Sequence, residues 1–497
     1  MNKEMVTFVC MIKTLIVGLN TSQMQLIILM MRYCFRINSK KKKNKGGEIL
    51  KKYYESRLLQ EFMNPEIWKE EIDKGVRKGI DKGRLMRFCD YNVRIALYKR
   101  IVSGHYEVSV PHVALIPKDK PGEFREVKVN EPEDRVILSV INECLFRLFP
   151  DMVHKNCRSY QKGMGTQDTV QKISNKIQKI GGTTHKFIGY KADLSKYFDS
   201  VNRNKIFEIF DRLEDRLGFE RNTEPIINVL RKYYNLDWLF DTDGQLVEKY
   251  TSLKQGCAVA AFLADVMLYD IDEWETKHND IYIRYSDDIL IVNNDERKSE
   301  LGVDALRGML SHYGLTLNPR KVQKLYADEW FTFLGFKIKS DMITLSRNRV
   351  KNFQKEVVKR TLKSKSTAKN AWNSLVNYLY SGDYNWATSC LSTVNCEPDI
   401  DELNNFILDC LRACEVRDKE VARKKSSRRY PIKITEIGGL GSTENLEDRT
   451  ILRGTGKKVR SNREKTEKMF DKYISVRCLE KDMKIGRWLF ESVVRGI

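Results

Sequence analysis

Two adjacent carboxylates lie inside an apolar stretch of the sequence. Asp287 and Asp288 follow Ser286 within Ile281–Val292, which reads IYIRYSDDILIV. Alternating apolar residues before the pair and a short apolar run after it predict a β-hairpin with the carboxylates at its tip. Carboxylates held this close repel each other, and a divalent cation with oxygen ligands is the usual remedy. A solvated turn is the alternative interpretation, because aspartate is common in turns.

A third carboxylate favours the metal interpretation. Asp193 ends a strand predicted over Lys186–Asp193, and the chain then continues as LSKYFDSV. If this strand pairs with the hairpin, Asp193 meets Asp287 and Asp288. Three carboxylates could then bind two Mg²⁺ ions about 3.5–4 Å apart, an arrangement that stabilises the attacking and leaving oxygens in phosphoryl transfer. A cap or turn role is the alternative for an isolated aspartate at a strand end.

The elements that must position these residues alternate between helices and strands. Glu48–Ser103 is helical in pattern, and Val108–Ile116 and Phe124–Val129 form a hairpin with a basic tip. Apolar spacing predicts the remaining elements. They are helices over Glu133–Phe149, Asp168–Lys179, Arg203–Arg216, Glu224–Tyr234, Gln255–Thr276 and Asn294–Tyr313, a strand or loop over Leu315–Gln323, a short hairpin over Phe331–Lys339 and Met342–Leu345, and basic helices from Arg347 onward.

The order of the motifs resembles that of reverse transcriptases, in particular the bacterial group that contains retron, group II intron and abortive-infection or defence enzymes. The resemblance extends from about Tyr98 to Leu345, roughly half of the chain. It is carried by HVALIPKDKPGEFREVKV, DRVILSVINECL, RSYQKGMGTQDTV, ADLSKYFDSV, SLKQGCAVAAFLADVMLYDID, YSDD, GLTLNPRKVQ and FLGF.

The resemblance implies an α+β right-hand polymerase, with fingers and palm built from antiparallel sheet and helices. A mostly α-helical thumb and C-terminal domain would follow. The division is then residues 1–47 as an N-terminal extension with a basic linker, 48–185 as fingers, 186–346 as palm interleaved with the fingers, and 347–497 as the basic helical region.

Roles for the acidic site follow from the same resemblance. Asp193 and Asp287 would ligate two Mg²⁺ ions, for which Mn²⁺ could substitute. The backbone carbonyl of Leu194 would assist, and Asp288 would be an auxiliary ligand. Lys321 would protonate the leaving pyrophosphate, with an ordinary surface lysine as the alternative.

Nucleotide-binding residues are implied as well. Lys118 and Arg125 on the basic hairpin would bind the triphosphate, since Arg suits bidentate phosphate contacts. Phe198 would lie under the sugar and favour deoxynucleotides. Gln255 and Gly256 would let backbone approach template or nucleotide closely, because glycine lacks a Cβ. A solvated hairpin face, ordinary core and a plain turn are the respective alternatives.

The primer end would be positioned by the FLGF segment. Its residues Phe333, Leu334, Gly335 and Phe336 match the primer grip of the family. Ordinary packing in the core of a hairpin is the alternative for this segment.

Composition narrows the class of partner. The 497 residues include 88 Lys and Arg against 67 Asp and Glu, a net charge of +21 that favours a polyanion, with nucleic acid ahead of an anionic membrane. The eleven cysteines show no CxxC, and with six histidines no zinc signature appears, so we expect reduced thiols in a cytoplasmic protein. The apolar segment 1–36 is too interrupted for a membrane span and favours a helical interaction or extension segment. A membrane-edge anchor and a start codon placed too far upstream are the alternatives.

The expected function is RNA-directed or weakly templated DNA synthesis from dNTPs. The partners would be RNA, as template or non-coding RNA, and the DNA product, and the protein could be a homo-oligomer. The basic helical C-terminal region resembles that of defence enzymes, which favours a role against phage and keeps protein priming open. A group II intron-like maturase, an idle RNA-binding scaffold and a nucleotide cyclase with a palm-like core are the alternatives.

Overall fold

The computed structural model describes residues 56–118, 122–181, 187–363, 368–380, 385–396 and 398–407, together with Cys410, Leu411 and Cys414. The N-terminal extension and linker predicted over residues 1–47 lie outside the described residues. Residues 415–497 also lie outside the described residues. They form the larger part of the predicted C-terminal domain and include the basic cluster Arg423–Arg429.

Helices form most of the described chain. They are α1 (Arg57–Phe62), α2 (Pro65–Arg77), α3 (Lys82–Met86), α4 (Tyr91–Val102), α5 (Pro132–Leu148), α6 (Thr166–Gly181), α7 (Tyr197–Ser200), α8 (Arg203–Leu217), α9 (Pro225–Asn235), α10 (Val259–Met267), α11 (Tyr269–His278), α12 (Glu296–His312), α13 (Arg347–Arg360), α14 (Ala368–Tyr380) and α15 (Trp386–Ser389), with 3₁₀ turns at Arg87–Cys89, Pro150–Met152 and Leu391–Thr393. None of the helices in the described ranges has the length and apolar character needed to cross a membrane.

The strands within the described ranges form three sheets. They are β1 (His112–Pro117), β2 (Phe124–Val129), β3 (Ile188–Asp193), β4 (Trp238–Phe240), β5 (Leu246–Glu248), β6 (Ile281–Tyr285), β7 (Asp288–Asn293), β8 (Gln323–Tyr326), β9 (Phe331–Phe333), β10 (Phe336–Lys339) and β11 (Met342–Leu345). Their orders are β2-β1-β4-β5, which we call the fingers sheet, β6-β7-β3-β8, the palm sheet, and β11-β10-β9. The predicted α+β class is confirmed.

The palm sheet is buried on both faces, which explains the nearly continuous apolar runs of β6 and β7. Ile283 and Leu290 face a core shared with α6, β9–β11 and the helices after Arg347. Tyr282 and Ile291 face a second core shared with α5, α10 and the N-terminal helices. A strand covered on both sides needs no polar alternation. The three carboxylates of the predicted site lie at or just beyond the strand ends.

Several predicted boundaries need correction. The helix predicted over Gln255–Thr276 is two helices, interrupted at Leu268, whose φ of −106° and ψ of 22° leave the helical range. The chain over Leu315–Gln323 becomes a strand only at Gln323. The hairpin predicted around Phe331–Lys339 is a three-stranded sheet.

Sequence reasoning did not predict the β4–β5 hairpin. β4 pairs with β1 in parallel through His112 and Phe240, so it extends the fingers sheet from far along the chain. Its strands are three residues each, too short for an alternation pattern to be recognised.

Candidate active site

The strand register brings the predicted carboxylates together. Asp193, the last residue of β3, is directly opposite Asp288, the first residue of β7. Asp287 lies in the turn between β6 and β7, and its carbonyl oxygen accepts the N–H of Leu194 at 3.0 Å. The prediction that the β3 strand pairs with the acidic hairpin is confirmed.

A lysine joins the group from a third segment. The Lys321 ammonium donates to Asp193 Oδ2 at 2.7 Å, and the N–H of Asn318 donates to the Asp193 carbonyl oxygen at 2.7 Å. Burial opposes the charge of Lys321, but the hydrogen bond to Asp193 and the nearby carboxylates raise its pKa above its ordinary value. Lys321 therefore stays protonated beside the acidic residues.

The hairpin carboxylates are destabilised as anions. Burial raises the pKa of Asp287, and the neighbouring Asp193 carboxylate adds to the rise. Burial also raises the pKa of Asp288, to about 6, with Lys191 opposing and Asp287 and Asp193 reinforcing the shift. The Leu194 side chain is buried, so only its backbone is available to the site.

This donor set fits a divalent cation, because such an ion would neutralise the repulsion between the three carboxylates. Asp193, Asp287 and Asp288 are the residues that would hold it. Within the described ranges, however, no three His, Cys, Asp or Glu side chains are grouped so that they could hold a metal ion. Asp193 Oδ2 accepts a hydrogen bond from the Lys321 ammonium. The roles of the three carboxylates as metal ligands therefore stay predictions.

A buried ion pair supports the strand that leads to the tip. The Arg284 guanidinium donates to both carboxylate oxygens of Asp272, at 2.7 and 2.6 Å, and both side chains are fully buried. Tyr282 donates its hydroxyl to the same carboxylate at 2.7 Å. Sequence reasoning missed this pair, although an arginine inside an otherwise apolar strand is a signal, since buried charges are rare unless paired.

The tip itself adopts a strained conformation. Ser286 has a φ of 58°, a left-handed conformation that non-glycine residues seldom adopt. Its N–H donates to the Ser159 hydroxyl at 2.9 Å, and its own hydroxyl lies 3.0 Å from the Tyr160 hydroxyl. The segment RSYQKG therefore contacts the acidic turn directly, which sequence reasoning did not predict.

Of the two basic residues predicted on the β1–β2 hairpin, Arg125 is the one that acts on the acidic site. Arg125, on β2, is exposed and close enough to Asp287 to oppose the rise in the pKa of that carboxyl. Lys118 is exposed at the end of β1, where its backbone N–H donates to the Glu123 carbonyl oxygen at 2.9 Å. Their contact with a triphosphate stays a prediction.

The Gln255–Gly256 loop is packed against the fingers sheet. The Lys128 N–H donates to the Gln255 carbonyl oxygen at 2.6 Å. A Cβ on Gly256 would lie 2.7 Å from the Lys128 carbonyl oxygen, and Gly256 has a φ of +108°. The close backbone approach in this structure is therefore made to β2, and an approach to template or nucleotide stays a prediction.

Phe198, on α7, is half-buried. Its ring meets Tyr197 edge-on at 5.6 Å between centroids, and its carbonyl oxygen accepts the Leu253 N–H at 3.1 Å. Its place near the nucleotide stays a prediction. The predicted sugar discrimination is untested.

The two phenylalanine rings of the FLGF segment are packed in the core, as in the alternative interpretation, and are not exposed to a primer. Phe333 and Phe336 are fully buried and opposite each other in the β9–β10 register. Arg349 donates to the Leu334 carbonyl oxygen at 3.0 Å and lies 4.3 Å from the centroid of Phe336. Only Leu334 and Gly335, both half-buried at the turn, are left to contact a primer, a role that stays a prediction.

The family model described as reverse transcriptase (RNA-dependent DNA polymerase) matches residues 116–338. Residues 116–338 are a reverse transcriptase domain. The matched range contains each of the predicted metal, nucleotide and primer-grip residues. Neither a bacterial origin nor a defence origin follows from this match.

A relative and several solved structures are similar to parts of the chain. The COX1/OXI3 intron 1 protein of Saccharomyces cerevisiae is 21% identical over 347 residues, which cover 58% of this chain and 39% of that protein. The chain thus spans about two-fifths of this relative's length.

Two telomerase structures are also similar. Apo telomerase from Candida tropicalis has a TM-score of 0.40 at 14% identity, covering 78% of this chain and 69% of that one. Telomerase from Candida albicans with a fragment of telomeric RNA has a TM-score of 0.38 at 13% identity, covering 67% and 66%.

Proposed function

We propose that this protein is an RNA-directed DNA polymerase that adds dNTPs to a primer 3′-hydroxyl, with divalent metal ions as cofactors. The observation that carries the proposal is the Asp193–Asp288 register, with Asp287 and Lys321 beside it, inside a reverse transcriptase domain. A catalytically idle scaffold has no need for one buried and two half-buried carboxylates whose charges repel one another.

The chain's own residues divide the work. Asp193, Asp287 and Asp288 would hold Mg²⁺, or Mn²⁺ in its place, which when bound lowers the barrier to phosphoryl transfer by stabilising charge on oxygen. Arg125 and Lys118 orient the triphosphate by charge-assisted hydrogen bonds. Lys321 holds Asp193 and, as a positioned proton donor, serves the leaving pyrophosphate.

RNA is the proposed template, and the excess of positive charge supports backbone binding. The defence role, protein priming and a non-coding RNA partner are proposed on the resemblance of the motifs and the basic helices. The similarity to an intron protein of yeast favours an intron-type maturase and reverse transcriptase as the second candidate.

The test is primer extension by the full-length protein. A DNA primer annealed to an RNA template is supplied with dNTPs and either Mg²⁺ or Mn²⁺. Asp287→Asn should lower incorporation at least about 100-fold, because it removes a charge from the site while keeping side-chain volume. Asp304→Asn is the matched control, since Asp304 is exposed and forms an ion pair with Arg307 on α12.

Equal incorporation by Asp287→Asn and the wild type would overturn the proposal. A second arm separates the candidates within it. Each dNTP is supplied singly and then all four together, and the product is partitioned in phenol. A need for all four dNTPs, with product free of protein, supports templated copying. Long product from one dNTP, bound to protein, supports protein-primed synthesis.

A further inference from the structure

We propose that Ser159 and Asp265 are positioning residues for the acidic hairpin tip. Asp265 orients the Ser159 hydroxyl, and that hydroxyl holds the Ser286 N–H and thereby the two carboxylates that follow it. This inference rests on the proposed function, because it assigns a role in the polymerase reaction to two residues outside the acidic group.

The polarity of the hydrogen-bond chain follows from the chemistry of a hydroxyl. Ser159 Oγ donates to Asp265 Oδ1. A hydroxyl has one proton to donate and two lone pairs that accept. With its proton committed to Asp265, Ser159 can serve Ser286 only as an acceptor, which is what the backbone N–H at 2.9 Å requires.

Burial makes this chain of contacts specific. Ser159 and Asp265 are fully buried, and Ser286 is 6% exposed, so water cannot replace a lost partner easily. Asp265 Oδ2 is also buried and has no hydrogen-bond partner among the described residues. Ser159 is thus the side chain whose hydroxyl donates to this carboxylate in the described part of the chain.

The segment that carries Ser159 is attached to the hairpin at a second point. The Arg284 N–H donates to the Asn156 carbonyl oxygen at 2.9 Å, and the Arg158 N–H donates to the Arg284 carbonyl oxygen at 2.8 Å. This bridge and the Ser159–Ser286 contact lie on either side of Tyr285. These backbone hydrogen bonds fix the position of Ser159 along β6, next to the tip.

The tip needs such support because its backbone is strained. Ser286 has a φ of 58°, and a residue in this region persists only where its surroundings determine it. Asp287 and Asp288 follow at once, and Asp287 also accepts the Leu194 N–H. A relaxed Ser286 would move Asp287 relative to Asp193, and a misplacement of about 1 Å at a reacting centre can lower a rate about 100-fold.

The experiment uses the full-length protein and four variants. Ser159→Ala removes the acceptor, and Asp265→Leu removes the group that orients it. Asp265→Asn is the conservative variant, because its amide oxygen still accepts from Ser159. Ser174→Ala is the matched control: Ser174 is also a buried serine, and its hydroxyl donates to the Ser340 carbonyl oxygen, away from the tip.

Two readouts are taken. Hydrogen–deuterium exchange of the peptide covering residues 281–292 is measured without substrate, and kcat and KM for dNTP are measured by primer extension. Ser159→Ala and Asp265→Leu should speed exchange of the Ser286 amide and lower kcat, each at least about tenfold. Asp265→Asn and Ser174→Ala should remain within about twofold of the wild type in both.

Unchanged exchange at the tip in Ser159→Ala would overturn the inference, as would faster exchange with wild-type kcat. A comparable loss of kcat in Ser174→Ala would overturn it too, because general destabilisation would then explain the effect. A wild-type protein that fails to incorporate dNTPs defeats the proposed function itself, and the positioning role is overturned with it. The wild-type activity thus distinguishes the two failures.

Discussion

The acidic residues of this protein differ in what compensates their charge. Asp193 has Lys321 at 2.7 Å. Asp287 and Asp288 have no comparably close cation among the described contacts, and the pKa of each is raised by burial. Cation binding is therefore expected to depend most on the hairpin pair.

The carboxyl of Glu275, away from the hairpin tip, provides a test of how burial changes a pKa and with it the stability of the protein. Glu275 on α11 is fully buried, and its Oε2 accepts from the Asn279 amide at 2.7 Å. Its Oε1 has no hydrogen-bond partner among the described residues. Burial raises the pKa of Glu275 to about 8, with Asp272 reinforcing the shift.

Glu275→Gln should therefore stabilise the protein, and more so at high pH. An unfolded Glu releases its proton near pH 4.3, whereas the folded one keeps it to about 8. The wild type thus loses stability as pH rises between these values, on the order of 5 kcal/mol in all. Thermal unfolding at pH 5 and pH 8 measures this. A gain in Tm that is the same at both pH values would contradict it.

At the scale of elements, the loop before α10 joins the palm to the fingers sheet. Lys254 in this loop is buried, and its ammonium donates to the Leu236 carbonyl oxygen and the Thr251 hydroxyl, both at 2.7 Å. The next residues, Gln255 and Gly256, lie against the backbone of Lys128 on β2. A shift of this loop would move β2, and with it Arg125.

Gly256→Ala tests that coupling. The new Cβ would be 2.7 Å from a backbone oxygen of β2, at a φ of +108°. Gly244→Ala is the matched control, because Gly244 has a φ of +78° with nothing within 4 Å. The control carries only the backbone strain, about 1–2 kcal/mol.

We expect Gly256→Ala to lower Tm more than Gly244→Ala and to lower dNTP incorporation at least about tenfold, while Gly244→Ala keeps near wild-type incorporation. Thermal unfolding and primer extension are run on both variants. If the two lose the same Tm and the same activity, the contact with β2 does not matter.

At the scale of the whole molecule, the two faces of the palm sheet belong to different cores. One core joins it to the N-terminal helices, and the other joins it to α6, β9–β11 and the helices after Arg347. Ser346 caps α13 at the predicted palm boundary, but the second core continues across it. The acidic group lies at the strand ends, the part of the sheet that neither core covers.

The net charge of +21 leads to a prediction about binding. Affinity for an RNA–DNA hybrid should fall linearly with salt on logarithmic axes, because neutralised phosphates release counterions. With about six to ten phosphate contacts, the loss between 50 and 200 mM KCl is about 10³- to 10⁵-fold. Fluorescence anisotropy measures the slope. A slope shallower than about −2 would show that backbone charge contributes little.

The local pattern of apolar residues was sufficient to predict the strands that carry the acidic site. The apolar alternation around Ser286 predicted the β6–β7 hairpin, and the run ending at Asp193 predicted β3, because burial on both faces makes such strands apolar. The prediction that Asp193 meets the acidic hairpin came from the order of the motifs and is confirmed by the register.

Only the tertiary structure shows the contacts that support the acidic site. Ser159 and Ser286 are 127 positions apart, and Lys321 and Asp193 are 128 apart. Arg284 and Asp272 form a pair that local pattern cannot reveal. These contacts depend on how strands and loops pack across the whole chain. The sequence by itself therefore determined which carboxylates could do chemistry, and the packing decided what holds them in place.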